Sequence, residues 1–376
     1  MDKSRTEIDI SRSVFLLIGI IIVFWLLQEL SGILIPLVLA LFMVMLLQPF
    51  LGFLLKKKVP NWIAVSIVSI FTLFLLFIFV TIMSSTVSQI AENGNELVSK
   101  VDLRIDSLVK WANRTFKLGI STYQINSYIS KALAGDRITE VLGSLAKSLG
   151  SFTGSFFMFS LYFIILLSGF SKYREYILFV GGKQRGTALL ETFESVMHST
   201  SSYVVIKFLV SLLTGFIFWL ICIGFGIKFA LFWGFLAFAL NFIPSIGSII
   251  ATIPPILMGL IYLDSGVSIL IYSGLLIATQ NLVGNILDPV LMGNRVKLNT
   301  LTVILGLLFW GYIWGIVGML LSVPLLVFMR IILAQSPETL IIARAMSSAR
   351  KPTPLIDSSK QTDEDTTKDD LKESSE

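Results

Sequence analysis

The polar residues able to do chemistry in this chain are few, and they sit inside apolar runs. Asn281, Gly284, Asn285 and Asp288 follow at i, i+3, i+4 and i+7, which places them on one face of a helix, with Gln280 beside them. A second group, Asn241-Phe242-Ile243-Pro244-Ser245-Ile246-Gly247, sets an amide, a hydroxyl, a proline and a glycine within one apolar stretch. Amides offer donors and acceptors without charge. Two uses stay open for the stripe: lining a path for a small polar solute, or hydrogen bonding between helices at about 0.6–2 kcal/mol per bond. Glu29, Asp264 and Asp288 fall toward the ends of apolar runs, which argues against a proton relay at mid-membrane. Lys207, near one end of its run, reads as a snorkelling side chain.

Catalytic chemistry finds little to work with. The single Cys222 excludes an intrachain disulfide, and the single His198 lies in a polar stretch away from any membrane serine. No H-E-x-x-H, phosphate loop or complete dinucleotide fingerprint occurs, so no enzyme, no metal centre and no cofactor is expected. ATP hydrolysis by this chain drives nothing.

The solvent explains the scarcity. Of 376 residues, 55% are hydrophobic and 14% charged, against roughly 25% charged in soluble domains. Mean hydropathy is +0.84. The chain is expected to be an all-α polytopic membrane protein. Its net charge of +5 reads as anchoring on the cytoplasmic side, not as nucleic-acid binding.

Residues 1–83 supply three spans: Val14–Leu27, Ile33–Leu55 and Trp62–Met83, with Gln28 to Gly32 as a hairpin turn between the first two. Lys56-Lys57-Lys58, together with Lys3, Arg5 and Arg12, puts both the N-terminus and that loop in the cytoplasm. Residues 84–150 read as an external insert of amphipathic helices. Residues 151–202 return the chain through a fourth span into a polar linker, Ser171–Ser202, whose Gly181-Gly182 pair is a candidate hinge. Residues 203–335 hold the broken segments. Residues 336–376 end in a disordered cytoplasmic tail.

Phe229–Leu263 would be about 50 Å long as one helix, against a core of about 30 Å. Proline and glycine break it at Asn241 to Gly247. Leu301–Leu333 poses the same problem, broken at Trp310-Gly311-Tyr312-Ile313-Trp314-Gly315. Two readings follow. In one, about six full helices accompany two re-entrant hairpins, an inverted repeat with its broken elements meeting near the midplane. In the other, eight full spans cross. The hairpin reading puts Arg295 and Lys297 in the cytoplasm with the other basic loops and is preferred. In it, Asn241, Pro244, Ser245 and Gly247 form one tip, Gln280, Asn281 and Asn285 face it across a polar cavity, and the Trp310 to Gly315 tip closes the other side. The exposed backbone of the tips is expected to meet the ligand. Replacing Pro244 by Ala with Gly247 by Leu is expected to let the helix run on at little cost in stability.

The runs "NFIPSIGSIIATIPPIL" and "QNLVGNILDPVLMGNRVKLNT", with "GMLLSVPLL" downstream, resemble the autoinducer-2 exporter family of bacterial membrane proteins. Asn241, Pro244 and Gly247 match that family's Pro-x-x-Gly tip, and Asn285, Asp288, Pro289 and Gly293 match its second signature. Asp288 stands where Glu is more usual, and Thr300 where proline is common, which leaves the entry angle of the last segment open. The resemblance implies a secondary transporter of the inner membrane, exporting a small quorum-sensing furanone in several members. It also implies a homo-oligomer, a pentamer, with elevator-like motion. Other members resemble sodium/proton antiporters or sporulation membrane proteins, so sodium and the proton are candidate coupling ions; a non-transport membrane protein of envelope development is the alternative reading.

A cysteine at position 294, in a Cys222→Ala background, should react with an impermeant thiol reagent only from the cytoplasmic side. Labelling from outside in intact cells would restore eight spans.

Overall fold

The computed structural model describes residues 21–92, 155–170, 172–244, 246–292 and 298–348, with isolated positions at 15, 18, 19, 100, 103, 104, 109, 110, 113 and 114. Most of the insert, Ser245, Gly293, Asn294 and the tail beyond 348 lie outside the described residues. The described elements are helices: α1 (21–29), α2 (Ser31–Lys56), α3 (Asn61–Glu92), α4 (Ser155–Phe170), α5 (Tyr173–Gly182), α6 (Gly186–Gly224), α7 (Ala230–Leu240), α8 (Ile246–Tyr262), α9 (Gly266–Leu282), a π turn (Val283–Leu287), α10 (Asp288–Met292), α11 (Thr300–Leu333) and α12 (Leu340–Ala345). Five helical stretches are long and apolar enough to cross a membrane, or six if α4 and α5 are joined across their 72° bend. The protein is an all-α polytopic membrane protein.

Two boundaries differ from expectation. Of the five residues read as a hairpin turn, Gln28 to Gly32, only Leu30 is a turn; the others are helical. Leu30 keeps near-helical angles (φ −85°, ψ 11°), so α1 bends into α2 without a loop. The linker is also no separate unit. The chain folds back at Gly182 (φ 64°), and the Arg174 guanidinium reaches Glu194 at 2.7 Å, so α5 lies along the start of α6. From Gly186, α6 runs through the expected boundary at 202 to Gly224, 39 residues. That is about 58 Å, nearly twice the bilayer core.

Both broken segments double back. In the first, α7 has 11 residues and is about 16 Å long, too short to cross. The chain turns at Asn241 to Pro244 and returns along α8. The base closes where the Lys228 ammonium sits 5.7 Å from the Tyr262 ring centroid. In the second, length alone would make α11 a span, but Gly315 (φ 61°, ψ −143°) breaks it. Gly311 abuts Met319, and Gly306 abuts the Leu326 side chain. A straight helix would hold that last pair about 30 Å apart. The base closes where Leu298 bridges to Ser347 and the Asn299 N–H donates to Met346 O at 2.9 Å. Asn299 also sets the entry angle that Thr300 left open: its side-chain oxygen accepts from Thr302 N, and its Nδ2 donates to Ala345 O.

The tips share one device. A Cβ on Gly247 would lie 1.9 Å from Leu240 O, and one on Gly318 would lie 1.9 Å from Trp310 O. Any side chain at Gly247 therefore pries its tip open. This overturns the expectation that leucine there is well tolerated.

The core forms in patches. Ala40, Val44, Val65, Val68, Phe159 and Phe163 join α2, α3 and α4. Phe218, Trp233, Ala237, Met258, Tyr272 and Leu276 join the first hairpin to α6 and α9. The second hairpin packs on the scaffold: Trp310, Ile313 and Trp314 lie against Phe24, Leu27, Leu34 and Ile35, while Leu321, Val323, Leu326 and Val327 share a cluster with Phe42 and Met45 of α2.

Gly318→Ala should destabilise the purified protein by about 1–3 kcal/mol, read as a fall in thermal midpoint, because backbone must move to admit the methyl. Gly274→Ala, with nothing within 4 Å of its Cβ, should leave that midpoint unchanged or raise it.

Candidate functional site

The site is built on α6 and α9, which lie antiparallel and are pinned at two levels. At one end Tyr272 is fully buried; its hydroxyl donates to Pro255 O at 2.9 Å and lies 3.5 Å from Cys222 Sγ. Gly259 leaves room for the Tyr272 ring, since a Cβ there would meet it at 2.5 Å. At the other end Lys207 Nζ donates to Asp288 Oδ2 at 2.6 Å. Lys207 is 6% exposed, so it is a buried ion-pair partner and not the snorkelling side chain expected. The error has a plain cause: its partner lies 81 positions away in sequence.

Along α6, Tyr203, Lys207, Ser211 and Gly215 recur every fourth residue and are all buried. Each meets a different part of the molecule. Tyr203 enters the apolar cluster shared with α2. Ser211 Oγ accepts from Asn241 Nδ2 at 3.0 Å, bringing the tip of the first hairpin to within one turn of the Lys207–Asp288 pair. Gly215 and Gly234 abut each other's carbonyl groups, which lets α7 lie close against α6. Lysine, serine and glycine at that spacing in an apolar run were a signal in the sequence.

On α9 the π turn decides which face Asp288 takes. In an unbroken helix Asp288 would share the face of Asn281. The wider turn takes up an extra residue and sets back all that follows by about 100°. Asp288 therefore comes round to the side of Gln280 and Val283, which are buried, while Asn281 and Asn285 stay exposed. Those two amides bond to each other, Asn285 Nδ2 to Asn281 Oδ1 at 3.0 Å, and Asn281 Nδ2 donates to Ile277 O. The structure does not bring them to the hairpin tip.

Gln280 is 8% exposed, and neither its Nε2 nor its Oε1 has a partner; Asp288 Oδ1 is also buried and unpartnered. Buried polar atoms are nearly always satisfied, and a bare amide costs about 1–3 kcal/mol. Gln280 lies midway on α9 between Tyr272 and Asp288, so its amide sits between the two pins.

The expected tips behave differently. Asn241 is buried and bonded to α6, and Pro244 is half-buried. The first tip satisfies its own backbone: Phe242 N donates to Ala239 O, Ile243 N to Leu240 O, Ile246 N to Pro244 O and Gly247 N to Ile243 O. Those amides are spent on the turn, which moves any solute contact from backbone to side chains. At the second tip, Trp314 Nε1 donates to Leu27 O at 2.9 Å, and the Trp310 ring lies tilted at 44° against Trp314, 4.8 Å between centroids. Trp310 and Trp314 thus pack on α1 and α2, while Gly311 lies against Met319 and Gly315 is exposed at the reversal. Pro289 follows Asp288 at the start of α10 and is exposed.

The chain is similar to known proteins over most of its length. A family described as "AI-2E family transporter" matches residues 14–338. The AI-2 transport protein TqsA of Escherichia coli (strain K12) is 31% identical over 326 residues, 85% of this chain and 91% of that protein. A putative transport protein of Haemophilus influenzae is 29% identical over 343 residues, 90% of this chain and 95% of its own length. The putative transport protein YrrI of Bacillus subtilis is 26% identical over 317 residues, 80% and 85% of the two chains. A multi-pass chain of apolar helices matched over this extent belongs to the AI-2E transporter family.

Proposed function

We propose that this chain is a secondary transporter of the bacterial inner membrane that exports a small, polar, largely uncharged solute such as a quorum-sensing furanone. The observation that carries the reading is the buried, unpartnered Gln280 amide between the two pins of α6 and α9. An amide without a protein partner is complementary to a neutral solute bearing donors and acceptors. The printed name of the Escherichia coli relative, an AI-2 transport protein, supports that class of solute.

In this reading residues 203–335 form the transport half, with two hairpins re-entering the membrane from opposite sides. Their bases support it: one closes at Lys228 and Tyr262, before α9, and the other at Asn299 and Met346, after it. Both termini are cytoplasmic, the motion is elevator-like, and the assembly is a homo-oligomer, a pentamer as in the resemblance. Gln280 and Asn241 do the solute binding, with no catalytic residue. A second reading, sodium/proton antiport, draws on the Lys207–Asp288 pair, because a carboxylate can exchange an ammonium for a proton or a small cation.

The test is flux in sealed proteoliposomes, with AI-2 as the first solute and imposed sodium and proton gradients. Gln280→Leu should cut flux about tenfold or more, while the thermal midpoint holds or rises, since an orphan amide gives way to an apolar group. If flux survives Gln280→Leu, the seam is not the solute path.

Asn241→Leu should weaken apparent affinity and cost about 1 kcal/mol through the lost Ser211 bond. Asn281→Leu and Asn285→Leu, on the exposed face, should leave flux within about twofold. A larger fall in either would return the solute path to that face.

A further inference from the structure

Only one of the two pins on the α6–α9 seam is built to open. The Tyr272 pin is uncharged and locked by packing: its ring fills the space left by Gly259 and lies 5.4 Å from Phe225, while its hydroxyl ties α8 to α9. The other pin is a single contact between a flexible lysine and a carboxylate at the first residue of the short helix α10. We propose that Lys207 and Asp288 are the inner gate of the seam: paired, they close Gln280 off from the side on which Asn299 and Met346 lie, and they part when solute passes. The proposal rests on the transport reading above.

Three observations converge on it. Lys207 and Asp288 are both withdrawn from solvent, with side-chain exposures of 8% and 19%, so the pair seals that level of the seam. Asp288 Oδ1 is already without a partner, so the carboxylate has a free oxygen for a solute hydroxyl when Lys207 swings away. Ser211 stands one turn from Lys207 and holds Asn241, so a displacement at the pair is felt at the hairpin tip.

The gate can be tested without a solute. Gln280→Cys in a Cys222→Ala background is treated with a membrane-impermeant thiol reagent from the side of Asn299. Labelling should be slow while the pair is intact. Lys207→Met or Asp288→Asn should speed it about tenfold, as expected when a closed state loses its lock. Lys207→Arg should keep it slow. The charge exchange, Lys207→Asp with Asp288→Lys, should restore slow labelling. A neutral double variant, Lys207→Met with Asp288→Asn, separates a gate from a folding defect: it strands no buried charge, so its thermal midpoint should hold, yet it lacks the lock and should label fast. Unchanged rates in both single variants, or an exchange variant labelled as fast as they are, would overturn the gate. Failure of solute flux in the wild type would instead sink the transport reading and leave the labelling result intact.

Discussion

The antiparallel clamp of α6 on α9 is the interaction on which the other parts depend. Its Tyr272 pin gathers three elements on one ring, since Tyr272 touches Cys222 and Phe225 beside α6 and Pro255 and Gly259 in α8. Its other pin is the Lys207–Asp288 ion pair. Withdrawing a lysine and an aspartate from water is expensive, and a 2.6 Å contact recovers that cost only while both partners remain. Removing one strands the other, typically at about 3–5 kcal/mol. In a bilayer there is little hydrophobic force between helices, so such specific contacts and close glycine approaches carry much of the association. Gly215 against Gly234 is of that kind.

The hairpins obey a second constraint. Backbone that leaves the helix at membrane depth must find partners within the protein. The first tip does so through four short-range N–H donations, the last of them from Gly247 back to Ile243. The second reverses at a glycine with positive φ, a conformation costly for other residues. In both, a glycine after the reversal lies against a carbonyl of the incoming arm, Leu240 in one case and Trp310 in the other. Trp310, Ile313 and Trp314 of the second tip are then buried against α1 and α2, where Trp314 donates to Leu27 O.

Much of this was legible in the sequence because lipid leaves few options. Four of the apolar runs reappear as helices long enough to cross, and proline and glycine inside the two over-long runs marked where the chain doubles back. Three things stayed hidden for physical reasons. The π turn changes the face of Asp288 by one residue's rotation, and nothing in Val283-Gly284-Asn285 fixes where a helix widens. The Lys207–Asp288 pair joins distant positions, so each charge alone looked like an end-of-span residue. The backbone groups at the first tip looked available to a ligand because sequence shows which N–H groups leave the helix but not where they next bond.

The two hairpins differ in what holds them, and this bears on the moving part. The second shares clusters with Phe24, Leu34, Phe42 and Met45, so carrying it away from α1 and α2 would unpack a large apolar surface and break the Trp314 bond. The first shares its core with α6 and α9, and it meets α3 through the ring pair Phe79–Phe235, 4.5 Å between centroids. A ring-on-ring contact slides with less loss than interlocked small and large residues, since it has no directional bond to break. On the transport reading proposed above, packing favours a moving body made of the first hairpin, α9 and the part of α6 they clasp, with the second hairpin held to the scaffold. On that division the Gly215–Gly234 approach, the Asn241–Ser211 bond and the Tyr272 pin travel together, and the Lys207–Asp288 pair, one turn beyond Ser211, lies at the inner end of the moving body.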